Sequence, residues 1–413
     1  LFEDDPQFWY ETLRVFGHGA YGGSEFGEVL ATATQIRPGD YGSWHDAWLG
    51  TADRVADEAK QARAGGHKIS AREGYLRAST YYRMAEFFLH DNPDDPRIRH
   101  AYSCAVSCFR AAVADLDTAV EQVEIPYQHT VLHGYFYRAP GAGPHPTVIM
   151  HTGFDGSAEE MHFFGAQAGA ERGYHVLSFD GPGQPSAIHL HQLCFRPDWE
   201  HVVSPVVDYL LATEPSVDPD RIALLGLSLG GVLAPRAAAF EPRLAALVAF
   251  DGIYDAATST AAMLGLDRDE LVRRTRLDHD GELDALLDGL IATSPTMRWA
   301  IGHGRFAMGA STPRAFIAAF LDYNLRDGVA ERISCPTLVC AADSDVFFPE
   351  DGQLLSEPEL LYQHLTCPKT LLRFTEVEGA DAHCQVGAQR LAIARIYNWL
   401  DDTLKTSDQA NRR

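Results

Sequence analysis

Ser228 sits in Gly226-Leu227-Ser228-Leu229-Gly230, a glycine-flanked serine whose spacing suits one kind of chemistry. On a strained strand-to-helix turn a serine hydroxyl stands exposed as a nucleophile. A glycine two residues to either side lets strand and helix approach closely enough to make that turn. The context agrees. Ile222 to Leu225 are four consecutive apolar residues bounded by Asp-Pro-Asp and Gly226, which reads as a strand buried on both faces, and Val232 to Phe240 supplies the apolar helix that should follow.

A hydroxyl is a poor nucleophile until a base takes its proton, and the base needs an acid to hold its tautomer and orientation. After an elbow of this kind the expected chain order is serine, then aspartate or glutamate, then histidine. Asp345 follows the strand candidate Pro336 to Ala341 and stands four residues before Pro349, the place expected for the acid; Asp343, two residues earlier, competes with it. His383, in Glu378-Gly379-Ala380-Asp381-Ala382-His383-Cys384-Gln385, lies just past the next strand and is the expected base. Attack on a carbonyl also needs two backbone N–H donors for the oxyanion. Leu229, directly after the nucleophile, is one. The other is expected from His151-Thr152-Gly153-Phe154-Asp155-Gly156 and assigned to Phe154, because Gly153 lets the backbone turn inward. The turn Asp180-Gly181-Pro182-Gly183-Gln184 is expected to shape the pocket floor rather than perform chemistry. His189 and His191 have no partner ligands at zinc spacing, so no metal and no cofactor are expected.

These residues must be placed by a scaffold. From Asp5 to about Val120 the pattern is helical, with Trp44 and Trp48 on one helix face and an aromatic stripe from Tyr75 to Leu89 that reads chiefly as packing. Cys104 and Cys108, also four apart, read as small core residues. From Val123 onward strand and helix candidates alternate: strands at 123–125, 130–137, 147–150, 175–179, 222–225, 246–250, 336–341 and 370–377, with helices at 199–212 and 389–404. That alternation predicts an α/β fold with a mostly parallel sheet covered by helices on both faces. A helical stretch from Tyr254 to about Ile333 reads as a lid insertion over the strand ends. The expected division is therefore a helical cap domain at 1–120 and a catalytic domain at 121–405, with a frayed end after Lys405. Asp155, Tyr254, Asp255 and Tyr81 are the candidate substrate contacts, and the cap helices are expected to help enclose the site.

Across 413 residues acidic side chains outnumber basic ones 57 to 34, a formal charge of −23 that argues against nucleic acid or an anionic membrane as partner. The seven cysteines form no C-x-x-C pair, so neither a disulfide framework nor a zinc cluster is suggested and a cytoplasmic setting is expected. Leu1 to Pro6 show neither the basic nor the apolar region of a secretory leader, and no apolar run reaches the length of a bilayer span.

With these motifs in view the chain resembles an α/β-hydrolase group that includes 2,6-dihydroxypseudooxynicotine hydrolase, the fungal polyketide-shortening hydrolases and the fermentation-respiration switch (FrsA-like) proteins. The resemblance is carried by the helical Gly74-to-Phe88 segment, Gly153-Phe154-Asp155, Asp180-to-Gln184, Gly226-to-Gly231, Asp251-Gly252-Ile253-Tyr254-Asp255 and Gly379-to-Gln385. His151-Thr152 and Pro185 depart from the usual glycines. It implies a triad of Ser228, Asp345 and His383, an N-terminal helical cap and a homodimer. The expected substrate is a small molecule. The expected reaction is cleavage of a C–C bond next to a ketone in an aromatic or polyketide-like metabolite; the alternatives are a carboxylesterase or acyltransferase, or a non-catalytic binding module.

Overall fold

The computed structural model describes residues 1–348 and 355–404; Pro349 and the end expected to fray after Lys405 lie outside the described residues. The chain from Val120 onward builds an eight-stranded sheet. Its strands are β1 (Val120–Tyr127), β2 (Thr130–Tyr137), β3 (His145–His151), β4 (His175–Phe179), β5 (Val217–Leu227), β6 (Ala246–Phe250), β7 (Thr337–Ala342) and β8 (Lys369–Phe374), in the order β1-β2-β4-β3-β5-β6-β7-β8. β2 runs antiparallel to β4, and from β4 through β8 each neighbouring pair is parallel. The inner strands carry apolar side chains on both faces, and every residue of β4, β6 and β7 is buried. That is the signature of a sheet covered by helices on both sides. In register, Val148 of β3 faces Ala223 of β5, Leu225 faces Val248 of β6, and Val248 faces Leu338 of β7. The chain reverses direction of build at β3, whose neighbours are β4 and β5, so the turns leaving β3 and β5 lie side by side at the carboxyl edge, where such sheets bind ligands.

The chain divides into two compact units, Leu1–Val120 with Arg274–Ala318, and Glu121–Arg273 with the chain from Ala319. In the helical unit Trp44 and Trp48, on the helix Tyr41–Ala64, are fully buried. Trp44 Nε1 donates to Met84 O (2.7 Å) and His45 Nδ1 to Ala85 O (2.8 Å), which clips this helix to the end of Lys68–Glu86. The stretch 274–318 belongs to the same unit. Trp299 stacks on Phe87 at 5.5 Å, Arg298 lies 3.9 Å over the Tyr41 ring and donates to Gly39 O, and His303 Nδ1 meets His90 Nδ1 at 3.0 Å. Thus a part of the helical stretch expected to form a lid insertion is grouped with the N-terminal helices. Among the described residues no helix is long and apolar enough to cross a membrane, and the seven cysteines are free.

Candidate active site

β5 ends at Leu227, and Ser228 then takes φ = 62°. This left-handed conformation costs an L-residue on the order of 1–2 kcal/mol. It is held by Ser228 N–H donating to Phe250 O (2.6 Å) and Gly231 N–H donating to Ser228 O (2.6 Å). A Cβ on Gly226 would stand 2.1 Å from Gly230 O, so only glycine lets the helix Gly230–Ala238 start so close to the strand.

Two further strand-end turns, after β7 and β8, bring their side chains to this serine. His383 Nε2 lies 2.9 Å from Ser228 Oγ, and His383 Nδ1 lies 2.6 Å from Asp345 Oδ2. Asp345 Oδ1 accepts from the N–H groups of Phe347 (2.8 Å) and Phe348 (3.0 Å), which fixes the carboxylate's orientation. Asp343, the competing acid, is exposed and pairs with Arg373. The rings of Phe347 and Phe348 lie 5.1 and 6.0 Å from that of His383, which is itself buried. Burial alone would push the imidazole pKa down; the Asp345 carboxylate overrides it and raises His383 well above 6.5.

Opposite this relay lies the turn after β3. A Cβ on Gly153 would come within 2.3 Å of Leu229 N and 2.9 Å of Ser228 Cβ, so the Gly153–Phe154 peptide rests directly on the elbow. The Phe154 ring packs on Phe195 (6.4 Å) and Phe320 (6.0 Å), and Tyr323 lies 6.4 Å from Phe195 and 6.2 Å from Phe320. Asp155 follows, half-buried. A serine hydroxyl hydrogen-bonded to a buried imidazole, beside two candidate backbone donors and an apolar aromatic wall, is equipped for acyl transfer from a carbonyl compound.

Residues 28–264 match the FrsA-like esterase family. Over 96% of each chain, the protein is 36% identical to the hydrolase LUC6 of a Fusarium species. The chain belongs to the FrsA-like α/β-hydrolases. It is also 34% identical to the 20-hydroxy-prefusarin hydrolase FUS2 of Gibberella moniliformis, again over 96% of each chain. The crystal structure of 2,6-dihydroxy-pseudo-oxynicotine hydrolase shares its fold, with a TM-score of 0.70 and 24% identity over 94% of this chain and 95% of that one.

Three other residues expected to contact substrate in this FrsA-like hydrolase, Asp255, Tyr254 and Tyr81, make the following contacts within the protein. The fully buried Asp255 carboxylate caps the helix Ala256–Met263 by accepting from Ala257 N–H, and it also pairs with Arg268 (2.6 Å) and Arg326 (3.2 Å). Tyr254 stacks on His364 at 4.2 Å. The backbone N–H groups of Tyr254 and Asp255 both donate to Glu357, whose carboxyl is pushed up to about 7 by burial. These bonds make Tyr254 and Asp255 a brace between the turn after β6 and the helix Glu357–His364. Tyr81 lies in the helical unit, where its hydroxyl donates to Glu28 and accepts from Glu25 N–H.

Two residues near the relay were not singled out from the sequence. Asp251, at the end of β6, accepts from Cys384 N–H (2.6 Å) and Gln385 Nε2 (3.0 Å), and lies 3.5 Å from His383 Nδ1. It therefore steadies Cys384 and Gln385, which both have positive φ (53° and 49°), directly after His383. A carboxylate one residue past a buried strand was the available signal. Asp251, His383 and Cys384 offer donor atoms within 4.8 Å of one another, a spacing open to a metal. Burial pushes the Cys384 thiol up to about 11, however, and Asp251 is already engaged, so the cluster is better satisfied as a hydrogen-bond network. The other residue is Gln184, buried under the turn after β3.

Proposed function

We propose that the protein is a serine hydrolase that cleaves a C–C bond next to a ketone in an aromatic or polyketide-like metabolite. The observation that carries this reading is the unbroken relay from Ser228 Oγ through His383 to Asp345, at 2.9 and 2.6 Å. Ser228 Oγ attacks the ketone carbon as His383 Nε2 takes its proton, and the oxyanion is received by the N–H groups of Leu229 and Phe154. When the C–C bond breaks, its electron pair leaves on carbon and the imidazolium returns the proton there; water then releases the acid from Ser228 with His383 as base. A carbanion leaves readily only if a second carbonyl stabilises it, hence a β-diketone-type substrate. The aromatic wall of Phe154, Phe195, Phe320 and Tyr323 supports a flat, unsaturated substrate.

The family description as an esterase favours a second reading, a carboxylesterase using the same relay. The discriminating experiment labels Ser228 with a fluorophosphonate and then compares kcat/KM on matched aryl β-diketone and aryl ester substrates. Failure of the wild-type protein to label would reject the serine-hydrolase reading; labelling with turnover of the ester alone would reject C–C cleavage.

A further inference from the structure

We propose that Gln184 is a positioning residue that aims the second oxyanion donor, the Phe154 N–H; this rests on the serine-hydrolase reading. Its side-chain amide is fully buried and bonded at both ends. Oε1 accepts from Gly181 N–H (2.7 Å), which leaves Nε2 to donate to Thr152 O (2.7 Å) and Gly153 O (3.2 Å). The orientation of the amide is thereby unambiguous, since only oxygen can face an N–H and only nitrogen can face two carbonyls.

The consequence follows from peptide geometry. The Gly153–Phe154 peptide is planar and trans, so its C=O and N–H point in opposite directions. Fixing Gly153 O against Gln184 therefore fixes the Phe154 N–H on the opposite side. The neighbouring carbonyl is held twice, because His151 Nδ1 also donates to Thr152 O (2.9 Å). Asp180 ties the same two turns together further along, accepting from Ala158 N–H (2.7 Å) and Ser186 N–H (2.8 Å). Such anchoring matters because the residue next to the donor is a glycine, whose backbone has the widest freedom to rotate, and an oxyanion donor stabilises charge only if it is already in place. The turn Asp180-Gly181-Pro182-Gly183-Gln184 thus acts through the oxyanion turn, without touching the substrate.

The test uses the full chain with Gln184→Met, which keeps the length and removes both donors, and Gln184→Glu, which sets an oxygen against the two carbonyls. Turnover is measured on p-nitrophenyl butyrate, with thermal unfolding in parallel. Removing an oxyanion donor lowers kcat about 100- to 1,000-fold, and displacing one should lower it about 10- to 100-fold, with KM within about threefold of wild type. Affinity for a trifluoromethyl ketone, which forms an oxyanion on Ser228, should fall in proportion to kcat/KM across the variants, while affinity for butyrate stays unchanged. A merely structural role would not produce that proportionality. The proposal is overturned if a folded variant keeps kcat within about threefold of wild type, if the loss lies in KM, or if trifluoromethyl ketone affinity does not follow kcat/KM. Absence of fluorophosphonate labelling in the wild-type protein would instead reject the underlying serine chemistry, so the two failures are distinguishable.

Discussion

Replacing Asp345 by asparagine and by alanine should give opposite rankings from those expected of simple loss of charge. Asp345 Oδ1 accepts two backbone N–H groups, from Phe347 and Phe348, and an asparagine can satisfy them only with its carbonyl oxygen. The NH2 group must then face His383 Nδ1, 2.6 Å away in the native protein. Facing a donor, Nδ1 must carry the lone pair, so the proton moves to Nε2, the nitrogen that has to accept from Ser228 Oγ. The base is trapped in the wrong tautomer, a change worth roughly 10⁴ in kcat. Alanine sets no such trap. Nδ1 can keep its proton and share it with Asp251, whose Oδ2 is 3.5 Å away. By the ratio of distances, 2.6/3.5, that carboxylate retains roughly three-quarters of the direct Coulomb attraction, without a hydrogen bond of full strength.

Asp345→Ala is therefore expected to lose about 10²- to 10³-fold in kcat and Asp345→Asn about 10- to 100-fold more. Adding Asp251→Asn to Asp345→Ala should remove the remaining advantage, and Asp343→Asn, whose carboxylate faces Arg373, should stay within about twofold of wild type. Steady-state kinetics on p-nitrophenyl butyrate, with active sites titrated by fluorophosphonate, reads all four. If asparagine is as active as alanine, or the Asp343 variant is the damaged one, the tautomer argument is wrong.

The strain at Ser228 predicts that Ser228→Ala and Ser228→Gly both abolish turnover, but that the glycine variant is the more stable by about 0.5–1 kcal/mol in urea unfolding, because it alone relaxes φ = 62°. Because the Asp345 carboxylate raises His383 and a protonated imidazole cannot accept from Ser228, the acidic limb of kcat/KM should lie above pH 6.5 in the wild-type protein and at lower pH in Asp345→Ala. His151 is fully buried, with its pKa lowered by burial to about 4; Nδ1 donates to Thr152 O and Nε2 accepts from Trp199 Nε1–H, so it folds neutral. Since the unfolded chain takes up that proton near pH 6.5, its contribution is complete above 6.5 and is lost as pH falls toward 4, about 3 kcal/mol in all. Unfolding titrations between pH 7 and pH 4 should show this slope in the wild-type protein and a correspondingly smaller one in His151→Phe.

What could be read from the sequence was whatever has a short-range pattern. The strands His175–Phe179 and Ala246–Phe250 stand out as apolar runs between breakers, and the elbow at Ser228 as two glycines at fixed offsets. The choice between Asp343 and Asp345 was less legible, because residues two apart share a face only while the chain remains extended. The strand ends at Ala342, and beyond it the two carboxylates part, one to Arg373 and the other to His383. The helices of 274–318 were legible as helices, but nothing local shows which core their apolar faces join; that is decided by contacts such as Trp299 on Phe87, some two hundred positions apart in the chain. The same holds for the polar residues that aim the site. Gln184 and Asp251 look in sequence like ordinary turn residues, and their distinguishing property is burial with every strong hydrogen-bonding direction engaged. Reacting groups are marked by type and spacing, whereas positioning groups are marked by the enclosure around them, which exists only once the turns after β3, β4, β6 and β8 have been brought together. A glutamine that would cost several kcal/mol if buried unpaired is retained there because three backbone groups need it.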